Sequence, residues 1–389
     1  MARVLIAGAG PVGLMAAAAL VRRGVAVTVL EAGAALATQS RASTFHPPTL
    51  DMLAAVGAAE PLIAQGLVAP LLQYRTRDAC LATFDFGEIA DVTAHPYRLQ
   101  AEQFKLTRIL ADGLAGRDGF ELVFGAEVAG LEQDDAGVAV VAADGRRWRG
   151  DWLIGADGAS SVVRKQLGVA FEGFTWDERF LVVSTPFDFA AEIPGLASVS
   201  YVSDPAQWHF FLQIPGVWRM MFPVKPEIDD ATAASEGYIQ SQMATLIPGR
   251  GGYEVVHTTL YRVHQRVADR YRVGRVFLAG DAAHVNNPLG GMGMNGGLHD
   301  AVNLAERLAL ACRDGIDDLD GYERQRRQVN IEYVQAQTIR NKANLEARDP
   351  ADHQAFKKRM RATAADPAKR RDFMLSASMI DSLKRANEL

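Results

Sequence analysis

The sequence predicts an α/β protein in which a parallel-sheet domain is interleaved with a smaller β-sheet domain and followed by C-terminal helices. Three observations carry this. A short apolar strand at Arg3 to Ala7 runs into a glycine-rich turn, a helix of small residues and a second strand. Two further strand-to-loop transitions begin at Trp152 and Arg275, far down the chain. Between them, from about Phe180 to Asp269, short β-type runs dominate and glycine motifs are missing.

With 389 residues, 49% hydrophobic and 22% charged, the chain can bury a large core and hold two joined domains. No repeat or Pro/Ser-rich linker divides it, so the second domain is expected to be woven in by strands that leave and re-enter the first. The expected boundaries are 1–73, 97–179 and 270–335 for the parallel-sheet domain, 74–96 and 180–269 for the smaller β-sheet domain, and 336–389 for a C-terminal helical segment. A net charge of −5 disfavours nucleic acid and favours small-molecule partners. Cys80 and Cys312 show no C-x-x-C spacing, so neither a disulfide framework nor a zinc site is expected, only two buried or half-buried thiols. No run approaches the ~20 apolar residues of a membrane span, and the chain begins in a strand rather than a charged leader, so a cytoplasmic location is expected.

The first turn reads Gly8-Ala9-Gly10-Pro11-Val12-Gly13, a G-x-G-x-x-G pattern. Gly8 permits the tight turn, Gly10 lets the backbone approach a pyrophosphate, and Gly13 allows close packing of helix on strand. The helix from Val12 to Arg23 then offers unpaired N–H groups and a positive dipole end to the anion. The strand Ala26 to Leu30 ends in Glu31, about 20 residues on, where an acid binds a ribose 2′-hydroxyl. This is a Rossmann-type site for FAD or NAD, and the acid disfavours a 2′-phosphate.

The later transitions are Gly155-Ala156-Asp157-Gly158-Ala159-Ser160-Ser161-Val162-Val163-Arg164 and Arg275-Val276-Phe277-Leu278-Ala279-Gly280-Asp281-Ala282-Ala283-His284. With the first motif and in the same order, they resemble the fingerprint set of the flavoprotein aromatic hydroxylases, the para-hydroxybenzoate hydroxylase-like FAD-dependent monooxygenases. The resemblance spans about residues 1 to 335. It implies a Rossmann-type FAD-binding domain interleaved with a β-sheet substrate domain. It also implies that Asp281 binds the ribityl chain of FAD and that Asp157 supports the pyrophosphate region. Asp144-Gly145, by contrast, reads as a plain turn between short strands.

Further matches follow the chain. Asn287 to Asn295 is a glycine loop feeding a helix. The resemblance lays it against the isoalloxazine ring, with Pro288 at the edge, Gly291 and Gly293 among the cofactor-binding positions, and the amides near Met294 and Asn295 facing N1 and O2. There a positive helix end stabilises the anionic reduced flavin. Gln103 and Arg108 match the segment near the flavin phosphates and ribityl chain, and Arg41 sits where an arginine reaches the pyrophosphate. A meander of Glu127–Gln133, Val138–Ala142 and Arg147–Arg149 is expected, with Val128 packing on adenine.

In the substrate domain, Trp208 to Ile214 and Val217 to Phe222 flank Pro215-Gly216, a pair suited to a type II turn. Alternation puts Phe210, Leu212, Arg219 and Met221 on one face and His209, Phe211, Gln213, Trp218, Met220 and Phe222 on the other. By resemblance Arg219 is the pocket-edge arginine, so its face is expected to meet the flavin and its apolar neighbours the substrate. His46 and Tyr201 are the remaining catalytic candidates. His95, His209, His257, His264 and His284 are unclustered and read as satisfied structural histidines, and no metal is expected. The Lys357-Lys358-Arg359 and Lys369-Arg370-Arg371 runs read as a solvated face.

The resemblance implies that NADH or NADPH transiently reduces FAD, that dioxygen adds at C4a to give a hydroperoxide, and that one oxygen passes to a small phenol- or pyridine-like substrate. The partners are then that aromatic substrate and dioxygen, with no nucleic acid or membrane span, in a monomer or homodimer. An FAD-dependent reductase acting on a lipid or other non-aromatic substrate and a non-catalytic flavin sensor remain the alternatives. A flavin halogenase is disfavoured because Trp208-His209-Phe210-Phe211-Leu212-Gln213-Ile214-Pro215 lacks the W-x-W-x-I-P pattern.

Overall fold

A computed structural model describes residues 2–39, 42–347 and 349–389. Arg3–Ala7 lies at the centre of a six-stranded sheet, parallel to Ala26–Leu30 on one side and Trp152–Gly155 on the other. Phe120–Val123 and Val276–Leu278 extend the two flanks in parallel, and Arg272–Val273 closes one edge antiparallel. Val4 to Ala7 and Ala26 to Leu30 are buried throughout, which is why these strands read as unbroken apolar runs. The helix Pro11–Val21 packs against Gln103–Leu114 and the long helix Gly293–Asp314. The meander forms from Val128–Asp134, Gly137–Ala142 and Arg147–Gly150.

The second domain is an eight-stranded sheet in the order His284–Val285, His257–Ala268, Phe171–Thr185, Val217–Val224, His209–Ile214, Val199–Val202, Leu71–Arg75, Cys80–Asp85. Chain segments on both sides of the nucleotide motifs supply its strands, so the two domains are interleaved. The 15-residue strand Phe171–Thr185 crosses the expected division at 179/180 without a break, and Leu71–Arg75 crosses the one at 73/74. The physical interruption is a bulge between Thr175 and Arg179, where the pairing with His257–Ala268 shifts register.

The two faces of this sheet serve different ends. Leu181, Val183, Phe211, Trp218, Met220 and Phe222 bury themselves with Phe189, Ile239 and Met243 in a closed core. Phe180, Tyr201 and Met221, with Phe210 and Leu212 partly buried, pack instead against Phe356, Met360, Met374 and Ile380 of the C-terminal helices. Those helices, Pro350–Ala365, Pro367–Ala377 and Ile380–Glu388, therefore complete the core on this second face.

Three expectations change. The second basic run is docked rather than solvated: Arg370 pairs with Glu88 and Arg371 with Asp91, each at 2.6 Å. The division at 335/336 falls inside continuous helix, at the end of a π-turn, Asn330–Gln335. Cys80 is exposed rather than buried, and Cys312 is half-buried. Among the described residues no helix is long and apolar enough to cross a membrane, and no cluster of metal-ligating side chains forms.

Candidate functional site

The three glycine-bearing segments meet at one junction. A methyl group on Gly8, whose φ is +101°, would lie 2.5 Å from Ala156 O, so the first turn abuts the second motif. One on Gly13 would lie 2.0 Å from Gly8 O, the close helix-strand packing that the pattern requires. Gly10 faces open space. In the helix that follows, Leu14 N is bonded back to Gly10 O at 3.0 Å, with Pro11 at the first position. The amides of Val12 and Gly13 thus have no intrahelical partner and can receive an anion. Glu31 accepts from Ala9 N and Gly33 N, both at 2.8 Å, and clamps the turn while keeping lone pairs for a hydroxyl.

Gly280, at φ +60°, lies against Val12, and Asp281 follows it on the exposed side of the junction. Asp157 is used within its own loop, accepting from Ser161 Oγ at 2.5 Å, Val162 N at 2.8 Å and Val163 N at 3.1 Å. It braces the first two amides of the helix Val162–Gln166, whose N-cap is Ser161, with Ser161 Oγ accepting from Arg164 N at 2.9 Å. Arg164 reaches across to the third motif: its guanidinium donates to Ala282 O at 2.9 Å and Ala159 O at 2.8 Å and covers the Phe171 ring at 3.8 Å.

Beneath Gly280 lies a buried charge network that sequence reasoning missed. Asp300 accepts from Gly280 N at 3.2 Å, His284 Nε2 at 2.8 Å and Arg326 Nε at 2.8 Å, and Arg326 also reaches Gly296 O at 3.3 Å. Burial alone would raise the Asp300 pKa, but His284 and Arg326 hold it down at about 2. The trace left in the sequence is an aspartate on the apolar face of a helix.

The glycine loop is fastened from both sides. Gln265 accepts from Asn287 N at 3.1 Å, Tyr201 OH accepts from Gly290 N at 3.0 Å, and Gly291 N bonds Pro288 O at 2.9 Å. The Asn295 side chain accepts from His46 N at 2.9 Å and donates to Thr44 O at 2.8 Å and Gly291 O at 2.7 Å. Asn295 is therefore an anchor through its side chain. The first amide bonded back in the helix Gly293–Asp314 is Gly296 N, to Met292 O at 2.8 Å, which leaves the N–H groups of Gly293, Met294 and Asn295 for a ligand.

His46 is fully buried, with Nε2 at 2.8 Å from Gly290 O. A carbonyl can only accept, so Nε2 carries the proton and Nδ1 presents a lone pair, which has no partner. Burial, then the nearby Arg98, hold its pKa well below 6.5, so the ring is neutral.

The hairpin pairs Phe210 with Met221 and Leu212 with Arg219, which puts these four on one face, and Gly216 has φ +82° in its turn. Tyr201 pairs with Phe210 on the same face. Arg219 donates to Ser43 Oγ at 3.2 Å and feels the charge of Glu102. Gln213, on the other face, bonds Ser198 Oγ at 2.9 Å. Gln103 opens its helix with its N–H on Ala42 O at 3.0 Å, Arg108 is exposed, and Val128 is buried at the start of the meander. Arg41 lies outside the described residues.

These features fit FAD: an open turn at Gly10, two helix starts with unused amides, and a carboxylate on each side of the junction. A family model described as an FAD binding domain matches residues 1–337. The para-nitrophenol 4-monooxygenase of Pseudomonas sp. (strain WBC-3) is 32% identical over 97% of this chain and 96% of its own length. The 6-hydroxy-3-succinoylpyridine 3-monooxygenase HspB of Pseudomonas putida is 36% identical over 90% of each. The crystal structure of p-nitrophenol 4-monooxygenase PnpA from Pseudomonas putida DLL-E4 superimposes with a TM-score of 0.91 at 31% identity, covering 100% of this chain and 99% of that one. From the glycine junction to the last helices the same chain order is kept, and the protein belongs to the FAD-dependent flavoprotein aromatic hydroxylases, a family of monooxygenases.

Proposed function

We propose that the protein hydroxylates a small phenol- or pyridine-like substrate, using NADH or NADPH as a transient reductant and dioxygen as the oxygen source. The observation that carries this reading is the double fastening of Gly290, by Tyr201 OH at its N–H and by His46 Nε2 at its carbonyl. It joins the aromatic face of the substrate sheet to the loop that would lie along the flavin. FAD, when bound, accepts reducing equivalents and activates dioxygen at C4a. The chain's own groups position the ring: Phe210, Leu212 and Met221 offer apolar surface, Arg219 edges it, Pro288 bounds the loop, and His46 Nδ1 is a neutral hydrogen-bond acceptor. Relatives named for a nitrophenol and a hydroxypyridine support this substrate class. Of the two G-x-G-x-x-G runs, Gly8–Gly13 and Gly291–Gly296, the first alone follows a strand of the parallel sheet, which favours transient docking of the nicotinamide.

The test is a screen of phenols and hydroxypyridines for accelerated NAD(P)H oxidation by the holoenzyme, with products identified by mass. A product heavier by one oxygen atom is expected. Oxidation that no aromatic compound stimulates would remove the reading.

A further inference from the structure

Arg98 belongs to none of the recognised motifs, yet its guanidinium is among the most deeply buried in the chain, under 2% exposed. It sits in the strand Arg98–Gln100, which pairs Gln100 with Thr44 and Leu99 with Phe45. Alternation sends Leu99 and Phe45 into the nucleotide-domain core and leaves Arg98, Gln100, Thr44 and His46 on the opposite face. That face meets the substrate side. Arg98 lies over the Phe86 ring at 5.5 Å, and its charge is felt by His46 and Tyr74. Tyr74 stacks on Tyr201 at 5.5 Å, and Tyr201 bonds Gly290, which bonds His46. The circuit Arg98, His46, Gly290, Tyr201, Tyr74 therefore closes on itself.

Charge is what this circuit lacks. Among the described residues no carboxylate pairs with Arg98, and its hydrogen bond is to Ala377 O at 3.1 Å, the carbonyl end of the helix Pro367–Ala377. A helix end offers only a partial negative charge, and a guanidinium cannot shed its proton. Asp300 answers Arg326, and Arg219 has Glu102 nearby. Three buried nitrogens on the same face have no partner: Arg98 Nε, Gln100 Nε2 and His46 Nδ1. Two are donors and one is an acceptor, and buried polar atoms left this way call for a ligand.

We infer that Arg98 is the cation that receives an anionic oxygen carried by the aromatic substrate, with Gln100 as a second donor and His46 Nδ1 beside them. The inference rests on the reading above that this face takes a small aromatic molecule. It adds which side chain would meet the charged oxygen of such a ligand, a phenolate or a ring carboxylate: the buried Arg98, from a strand outside every recognised motif. A phenolic ligand would enter this site as its phenolate with its proton released to solvent, because the buried His46 ring beside Arg98 is held neutral.

The experiment titrates oxidised holoenzyme with 4-nitrophenol above its ionisation, with 4-hydroxybenzoate, and with neutral 4-nitroanisole, following the flavin spectrum. Wild-type protein should prefer an ionised probe to the ether. Arg98→Met should weaken the ionised probe roughly tenfold to a hundredfold, the effect of losing a charge-assisted hydrogen bond, and leave the ether and FAD content unchanged. Arg98→Lys should recover part of the preference. Loss of a helix cap alone would weaken all probes alike, so equal losses overturn the inference, as does unchanged affinity or a wild type that prefers the ether. Should Arg98→Met fail to fold, the wild-type preference and its reduction in Arg98→Lys still decide. An Arg98-dependent preference without any aromatic hydroxylation would overturn the proposed function and leave the anion site standing.

Discussion

Gly297 and Gly280 touch backbone to backbone: a methyl group on Gly297 would lie 2.9 Å from Gly280 Cα and 2.7 Å from Val12 Cγ2. The long helix thus pins the Gly-Asp turn onto the first glycine turn, and no side chain fits between them.

The first prediction tests that contact. Gly297→Ala should gain about 1 kcal/mol of helix propensity and lose about 1–3 kcal/mol to overpacking. The displaced turn carries Asp281, so FAD retention should fall more than thermal stability. Val12→Ala in the same chain should restore part of it. Full FAD occupancy in Gly297→Ala after gel filtration would show that the junction tolerates a shift.

Acid should destabilise the protein in two windows. His299 and His209 are buried, chiefly by desolvation titrating at about 3 and about 4. Unfolded, they take protons near 6.5, so the unfolded state binds more protons below that pH and stability falls as pH drops from about 6.5 towards 4. Each contributes a slope of up to about 1.4 kcal/mol per pH unit. Asp300, held at about 2, adds stability above the ordinary carboxylate range that is lost as pH falls from about 4 to 2. Thermal unfolding from pH 8 to 2 checks this. His299→Gln should flatten the upper window, and a stability independent of pH between 6.5 and 4 would contradict it.

The C-terminal helices are held by their apolar face rather than by their ion pairs. Phe356 is buried against Tyr74, with ring centroids 6.1 Å apart, while the pairs of Arg370 and Arg371 lie at the surface. Phe356→Ala should cost about 3–5 kcal/mol, and Arg371→Ala should have little effect in moderate salt. Denaturant unfolding measures both. A larger loss in Arg371→Ala would reverse the assignment.

What was legible in the sequence was local. The glycine turns, the strands that precede them and the alternation of Phe210, Leu212, Arg219 and Met221 each follow from a few neighbouring residues, and ladder pairing makes the four share a face. Asn295 and Asp300 were not legible as anchors, because their roles arise from contacts with His46 and Arg326 across remote segments. Arg98 was hidden for the same reason. In a half-apolar stretch one arginine reads as surface, and the pairing of its strand between Thr44–Phe45 and Leu67–Ala69 turns it inward. Asp157 was legible as a motif residue, but its carboxylate also closes its own loop, which the motif does not show. The C-terminal basic run looked solvated because its partners, Glu88 and Asp91, lie some 280 residues earlier.

The last prediction separates Arg219 from Arg98. Arg219 reaches from the hairpin to Ser43, next to the Thr44 and His46 segment that Asn295 fastens to the glycine loop. That contact assigns it to holding the substrate sheet against the segment rather than to neutralising a ligand. Losing this charge-assisted contact costs roughly 1.5–3 kcal/mol, or about tenfold to a hundredfold in kcat/KM. Arg219→Ala should therefore divert more NAD(P)H to hydrogen peroxide, because the ring is no longer held where oxygen is transferred. Its preference for ionised over neutral ligands should survive, as should its FAD content. Gln213→Ala, on the face that bonds Ser198, should change neither coupling nor preference. The comparison is made at matched FAD occupancy, recording peroxide yield and dissociation constants together. If Gln213→Ala uncouples the reaction while Arg219→Ala behaves as wild type, the working face of the hairpin is the opposite one. If Arg219→Ala instead loses the ionic preference, the anion site belongs to Arg219 and not to Arg98.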